Sequence, residues 1–138
     1  MRANRALAAT RKNPNDSDLY MDSAALNLHD AYSGLERVFK QIAAVVDGSL
    51  PTESDWHRQL LQQMELDLPK ARPPVLSPQT IGRLDEYLRF RHVVRNVYTF
   101  SFDPGRVGRL VTELESFYPA LRQELLAFAD FIEAVGTE

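Results

Sequence analysis

The 138-residue sequence has no cysteine, which excludes a disulfide framework and a thiolate metal site. No apolar run approaches the roughly 18 residues that a membrane span needs. The opening stretch, Met1-Arg-Ala-Asn-Arg-Ala-Leu-Ala-Ala9, holds only a short apolar patch where a secretory signal would carry its hydrophobic core. A cytoplasmic location without membrane contact is the expectation. Three histidines are spread far apart, with no His-x3-His pair, so a histidine-led zinc site is not expected. Gly-rich phosphate loops, Walker signatures and dinucleotide fingerprints are missing, and no cofactor is expected. No alternating apolar–polar stretch is long enough to build a sheet. Internal repeats and low-complexity segments are also absent.

What remains is helix. The length suits one domain, residues 1–138, with enough chain to bury a core. Hydrophobic residues make up 44% and charged residues 25%, both near the averages of soluble domains. Residues 1–11 read as a first helix, truncated or frayed through about residue 16, because Asn13-Pro-Asn-Asp-Ser is a strong break. Leu19, Ala24, Leu28, Tyr32, Leu35, Phe39, Ile42 and Val46 recur at helical spacing after an Asp16 or Ser17 N-cap. Gly48 is placed to end that helix. Pro51-Thr-Glu-Ser-Asp starts a short helix, with Thr52 and Asp55 as a capping box. It runs through Trp56, Leu60, Leu61 and Met64 and stops before Pro69.

Pro69, Pro73, Pro74 and Pro78 mark a connector that cannot be a helix interior. Ser77-Pro78 gives an N-cap followed by proline at the first helical position, and Asp103-Pro104 repeats the signal. The two helices they open run to about Phe100 and Val135, the second bent at Pro119. The pattern is that of an all-α, up-and-down four-helix bundle with an additional short helix.

Net charge is −3 and the pI about 5.6, which argues against broad nucleic-acid binding. The distribution is uneven. Arg83 to Arg109 holds six arginines and three acids, whereas from Glu113 onward Arg122 is the only cation. A local basic site on an acidic body suits a small phosphate target or a localised RNA contact.

The centre of that basic stretch is Arg89-Phe-Arg-His-Val-Val-Arg-Asn-Val-Tyr98. At about 100° per residue, Arg91, His92, Arg95 and Asn96 share an arc roughly 140° wide, while Phe90, Val93, Val94 and Val97 take the opposite one. One face is core, and the other presents cations, an imidazole and an amide together. Such a face can grip a phosphate beside a proton-transfer group. The bland alternative pairs these arginines with acids such as Asp85 and Glu86, which stand at i−4 and i−3 from Arg89. Two turns earlier Ile81, Leu84 and Leu88 make the same arc apolar, so the helix is hydrophobic on both sides. Burying one side against a second copy would make these three residues a dimer seam.

The stretch resembles the signature of the HEPN superfamily, in particular its HepT-like branch of ribonuclease toxins, Arg-x4-His-x-Tyr on a long helix of an all-α bundle. Arg91 stands at the arginine position, Asn96 at the histidine position and Tyr98 at the tyrosine position. Asp22 to Phe39 is similar to the family's early helix, Asp55-Trp-His-Arg58 to its short middle helix, and Leu84 to Phe90 to the lead-in to the signature. The likeness covers roughly residues 18 to 134. It implies a homodimer with a composite cleft, metal-independent cleavage of RNA, and a toxin–antitoxin pairing with an MNT-type nucleotidyltransferase that transfers AMP to Tyr98. In that reading Arg91 and Arg95 hold the phosphate, and Asn96 orients phosphate or hydroxyl. An amide cannot shuttle a proton near neutral pH, so the acid–base role falls to His92, one turn before Asn96 on the same side.

The rival reading is an inactive adaptor, whose arginine face binds a nucleotide or the nucleotidyltransferase. A third, a plain helical dimerisation module, leaves the polar cluster unexplained. His29, beside Asp30, reads as a hydrogen-bonded structural histidine, and His57 as packing beside Trp56. Ser33 and Ser101 have no supporting histidine and are not expected to be nucleophiles.

Overall fold

A computed structural model describes residues 17–96 and 104–136, with side chains over 23–91 and 105–136. Helix α1 is Ser17–Gln41, α2 Trp56–Gln63, α3 Pro78–Asn96 and α4 Pro104–Gly136. Among the described residues these are three long helices and one short one, with no strand beyond an isolated bridge between Leu68 and Arg72. The expected helix over 1–11 lies outside the described residues.

The helix boundaries have local causes. Helix α1 widens into a π-helical turn over Ile42–Asp47 and stops at Gly48, whose φ of 69° a side chain would oppose. At the start of α3 the Ser77 hydroxyl accepts the Thr80 amide at 3.2 Å, as an N-cap before proline should. The short helix departs from expectation. It begins at Trp56 with Asp55 as its N-cap and no side-chain capping bond, so Thr52 does not cap it. The Asp55 carboxylate instead accepts from Gln59 Nε2 at 2.7 Å. Helix α4 runs through Pro119 without interruption, although that residue has no amide to donate.

The chain divides into two compact units. The first holds residues up to Leu35 together with Glu86–Ser116. Its core is Ala24, Ala25, Leu28 and Tyr32 on α1, Tyr87, Leu88 and Phe90 on α3, and Val107, Leu110, Val111 and Leu114 on α4. Full burial of each larger side chain contributes about 1.5–3 kcal/mol. Tyr87 donates its hydroxyl to the Leu110 carbonyl at 2.5 Å, Arg106 lies over the Phe90 ring, and Glu86 pairs with Arg109. These contacts step down α4 as they step up α3, so the two helices are antiparallel.

The second unit comprises Glu36–Asp85 and the chain from Phe117. Phe39, Leu60, Leu61, Met64, Leu76, Leu84 and Leu121 are among its buried residues. Its proline connector is held by a buried ion pair that the sequence pattern does not announce. Arg72, whose side chain is 0% exposed, meets both carboxylate oxygens of Asp47 at 2.7 and 2.8 Å. Its remaining donors reach the carbonyls of Leu66, Pro73 and Gln63 at 2.9–3.1 Å. Gln63 Nε2 completes the set by donating to Asp47 at 2.8 Å. A buried pair is stable only when its remaining hydrogen-bonding capacity is met in this way.

Ile81, Leu84 and Leu88, the expected dimer seam, have little exposed surface in the single chain. The helix is indeed buried on both sides, but within the single chain, where these residues are 8%, 1% and 6% exposed. Periodicity reports that an arc is covered. It does not report whose surface covers it.

Candidate functional site

Helix α3 carries the signature residues as far as Asn96, where its described part ends. Arg91 is the member of the cluster whose side chain is described. It is half-buried, and its Nε donates to the Ser33 hydroxyl on α1 at 3.3 Å. His92, Arg95 and Asn96 lie on the helical backbone, and their side chains fall outside the described residues. Tyr98 lies outside them altogether, so the arc that joins these groups is known from backbone position alone.

Asp85 and Glu86, the acids expected beside Arg89, are also paired between elements. Arg58 on α2 donates to Asp85. Arg109 on α4 donates to Glu86, and also to Glu113 at 3.2 Å. The bonds from Arg109 hold the Glu86 carboxyl below its ordinary value against a smaller opposing effect of burial. The same contacts raise the Arg109 guanidinium.

Helix α1 places two further polar groups in this unit. Ser33 receives Arg91, and His29 stands one turn before it, at the i,i+4 spacing that puts both on one face. His29 does not behave as a satisfied structural histidine. Its Nδ1 makes only a 3.5 Å contact to Asp30, and its Nε2 is buried with no hydrogen-bond partner in the described structure. In the second unit His57 does more than pack beside Trp56. Its ring stacks on that indole at 3.5 Å, and Nδ1 lies 2.7 Å from a carboxylate oxygen of buried Glu36. Glu36 was detectable in principle. It lies four residues after Tyr32 and three before Phe39, an acid at a core position that requires a partner.

A groove of about 480 Å³ also opens in the second unit between the proline connector and α4, floored by Val75, Leu76, Phe128 and Phe131. Glu124 lines it and accepts the Ser77 amide at 3.0 Å. No helix of the described residues is long and apolar enough to cross a membrane.

No curated protein and no solved structure matches the chain. The model of the family described as HepT-like protein matches residues 23–132, from the second turn of α1 nearly to the end of α4. That span contains α2, the buried connector, Arg91 with its Ser33 contact, and the whole described length of α3. On this match over most of its length, the chain belongs to the HepT-like family of the HEPN superfamily.

Proposed function

We propose that this protein is a cytoplasmic, metal-independent endoribonuclease, the toxin of a pair whose antitoxin is a nucleotidyltransferase. The observation that carries the reading is Arg91, half-buried at the signature's arginine position on α3 in a chain of the HepT-like family. In the proposed reaction the substrate's own 2′-hydroxyl attacks the neighbouring phosphorus. Arg91 and Arg95 grip the phosphate and stabilise charge gathering on its oxygens. Asn96 orients phosphate or hydroxyl, and His92 supplies acid–base function. Two protomers supply one composite cleft. The single chain already covers most of the surface of Ile81, Leu84 and Leu88, which leaves little of it for a second copy to bury.

Tyr98 is the proposed AMP acceptor. An AMP group adds a phosphate and a bulky adenosine beside the arginines, where it competes with RNA for the same cations. Coexpression with a neighbouring nucleotidyltransferase should add mass in AMP units that vanish in Tyr98→Phe. Persistence of the added mass would place the acceptor elsewhere.

The second reading, an inactive adaptor, draws on Asn96, because loss of a general acid or base costs about 10²- to 10⁴-fold in rate. Labelled RNA incubated in EDTA with the native chain, Asn96→His and Arg91→Ala separates the two. Cleavage by the native chain that Arg91→Ala abolishes supports the ribonuclease. A silent native chain that gains cleavage with Asn96→His establishes the adaptor.

A further inference from the structure

The reaction needs two proton transfers, one from the attacking 2′-hydroxyl and one to the departing 5′-oxygen, and the signature arc of α3 contributes one imidazole, His92, from each protomer. The fold offers another. Residues of α1 up to Leu35 share a unit with α3 from Glu86 onward, and Glu36 onward shares the other with α3 up to Asp85. Helices α1 and α3 therefore run antiparallel. The Arg91–Ser33 contact at 3.3 Å fixes their register. One turn back along α1 from Ser33 is His29. One turn forward along α3 from Arg91 are backbone positions 95 and 96, where Asn96 stands in the histidine place of the signature. His29 thus stands level with the turn that lacks a proton-transfer group.

Its hydrogen bonding fits the same role. A buried polar atom without a partner is costly, and such atoms in native proteins call for a reason. His29 Nε2 is one of these, while Nδ1 faces Asp30 at 3.5 Å. The side chain keeps 22% of its surface open. Rotation about χ2, a broad torsion in histidine, gives up the weak Asp30 contact and turns Nε2 to that open edge.

We infer that His29 is a second catalytic residue of the Arg91 site, the base that takes the proton of the 2′-hydroxyl. This rests on the ribonuclease reading. As the 2′-oxygen bonds to phosphorus, its proton passes to His29 Nε2. The bond from phosphorus to the 5′-oxygen breaks, and His92, entering as imidazolium, gives its proton to the departing oxygen. The products are a 2′,3′-cyclic phosphate and a free 5′-hydroxyl, and water returns the proton from one imidazole to the other.

The test follows cleavage of labelled single-stranded RNA in EDTA across about pH 5 to 9 by the native chain, His29→Ala, His29→Gln and His92→Ala, since such profiles report the acid and the base separately. Circular dichroism checks the fold of each variant. The expected native profile is a bell. Both His29 variants should lose about 10²- to 10⁴-fold in rate and the low-pH limb. Added imidazole should restore part of the rate in His29→Ala, and His92→Ala should lose the high-pH limb instead. Should His29→Ala fold poorly, His29→Gln carries the test, because glutamine keeps hydrogen bonding without proton transfer. A folded His29 variant with native rate and both limbs overturns the assignment and leaves the ribonuclease standing. A native chain silent at every pH overturns both.

Discussion

Two arginines of this protein, Arg72 and Arg91, make opposite use of the same side chain. Arg72 is sealed from solvent and gives its donors to Asp47 and three backbone carbonyls. Arg91 is half-buried on α3, and its Nε reaches a serine hydroxyl at 3.3 Å. The first arrangement fixes a connector in which four prolines forbid a helical ladder, so that side-chain bonds take over the work of backbone ones. The second keeps a rigid planar cation half-buried on a helix, at the position that the proposed function assigns to phosphate binding.

The comparison breaks most sharply on stability. Arg72→Ala leaves Asp47 buried without its counter-charge and strips three carbonyls of a donor, so it should cost about 3–5 kcal/mol in urea unfolding. Arg91→Ala should cost less than about 1 kcal/mol, as expected for a side chain outside the core. Equal losses would mean that Arg91 is structural too. Chemistry should reverse the order. On the ribonuclease reading Arg91→Ala lowers cleavage about 10²- to 10³-fold, the usual effect of removing one donor to transition-state charge. Arg72→Ala, assayed where it remains folded, should keep most of its activity.

Much of this contrast was legible beforehand on one side only. Helix α3 itself could be read because its start is written in local chemistry, and Ser77-Pro78 and Gly48 announced their helix ends in the same way. Arg72 could not be read. It sits between Ala71 and Pro73 in a loop without period, and its partner Asp47 is far away in sequence. The burial of Ile81, Leu84 and Leu88 was half legible. Their spacing gave an apolar second side, but the surface that covers it is a tertiary fact. His29 was misjudged for a similar reason, since a histidine beside an aspartate looks satisfied until the geometry leaves Nε2 alone.

Acid sharpens the comparison further. Burial by itself would raise the Asp47 carboxyl, but the hydrogen bonds from Arg72 and Gln63 and the charge of Arg72 outweigh it and hold it below its ordinary 3.8. A depressed carboxylate contributes stability that is fully present above its unfolded pKa and is lost as pH falls through the folded one. Melting temperature should therefore fall as pH drops below about 4. Arg72→Met, which removes the cation that holds the carboxyl down, should flatten that part of the curve. An unchanged acid limb in Arg72→Met would assign the acid sensitivity to other carboxylates.

The smallest expected effect belongs to an arginine that resembles neither of these two. Arg109 joins Glu86 of α3 to α4, and its side chain is 48% exposed. Glu86 lies below its ordinary 4.5, chiefly through the Arg109 hydrogen bonds, so its contribution too is lost as pH falls through the folded value. Solvent screening keeps the contribution small. A double-mutant cycle with Glu86→Gln and Arg109→Gln should give a coupling of about 0.2–1 kcal/mol. It should shrink further in about 1 M salt, where screening acts over roughly 3 Å. The Asp47–Arg72 pair, sealed from ions, should keep most of its coupling in the same salt. A Glu86–Arg109 coupling above about 1 kcal/mol that resists salt would show a pair far better shielded than its exposure implies, and would make it a second clamp, set at the base of the turn that carries Arg91.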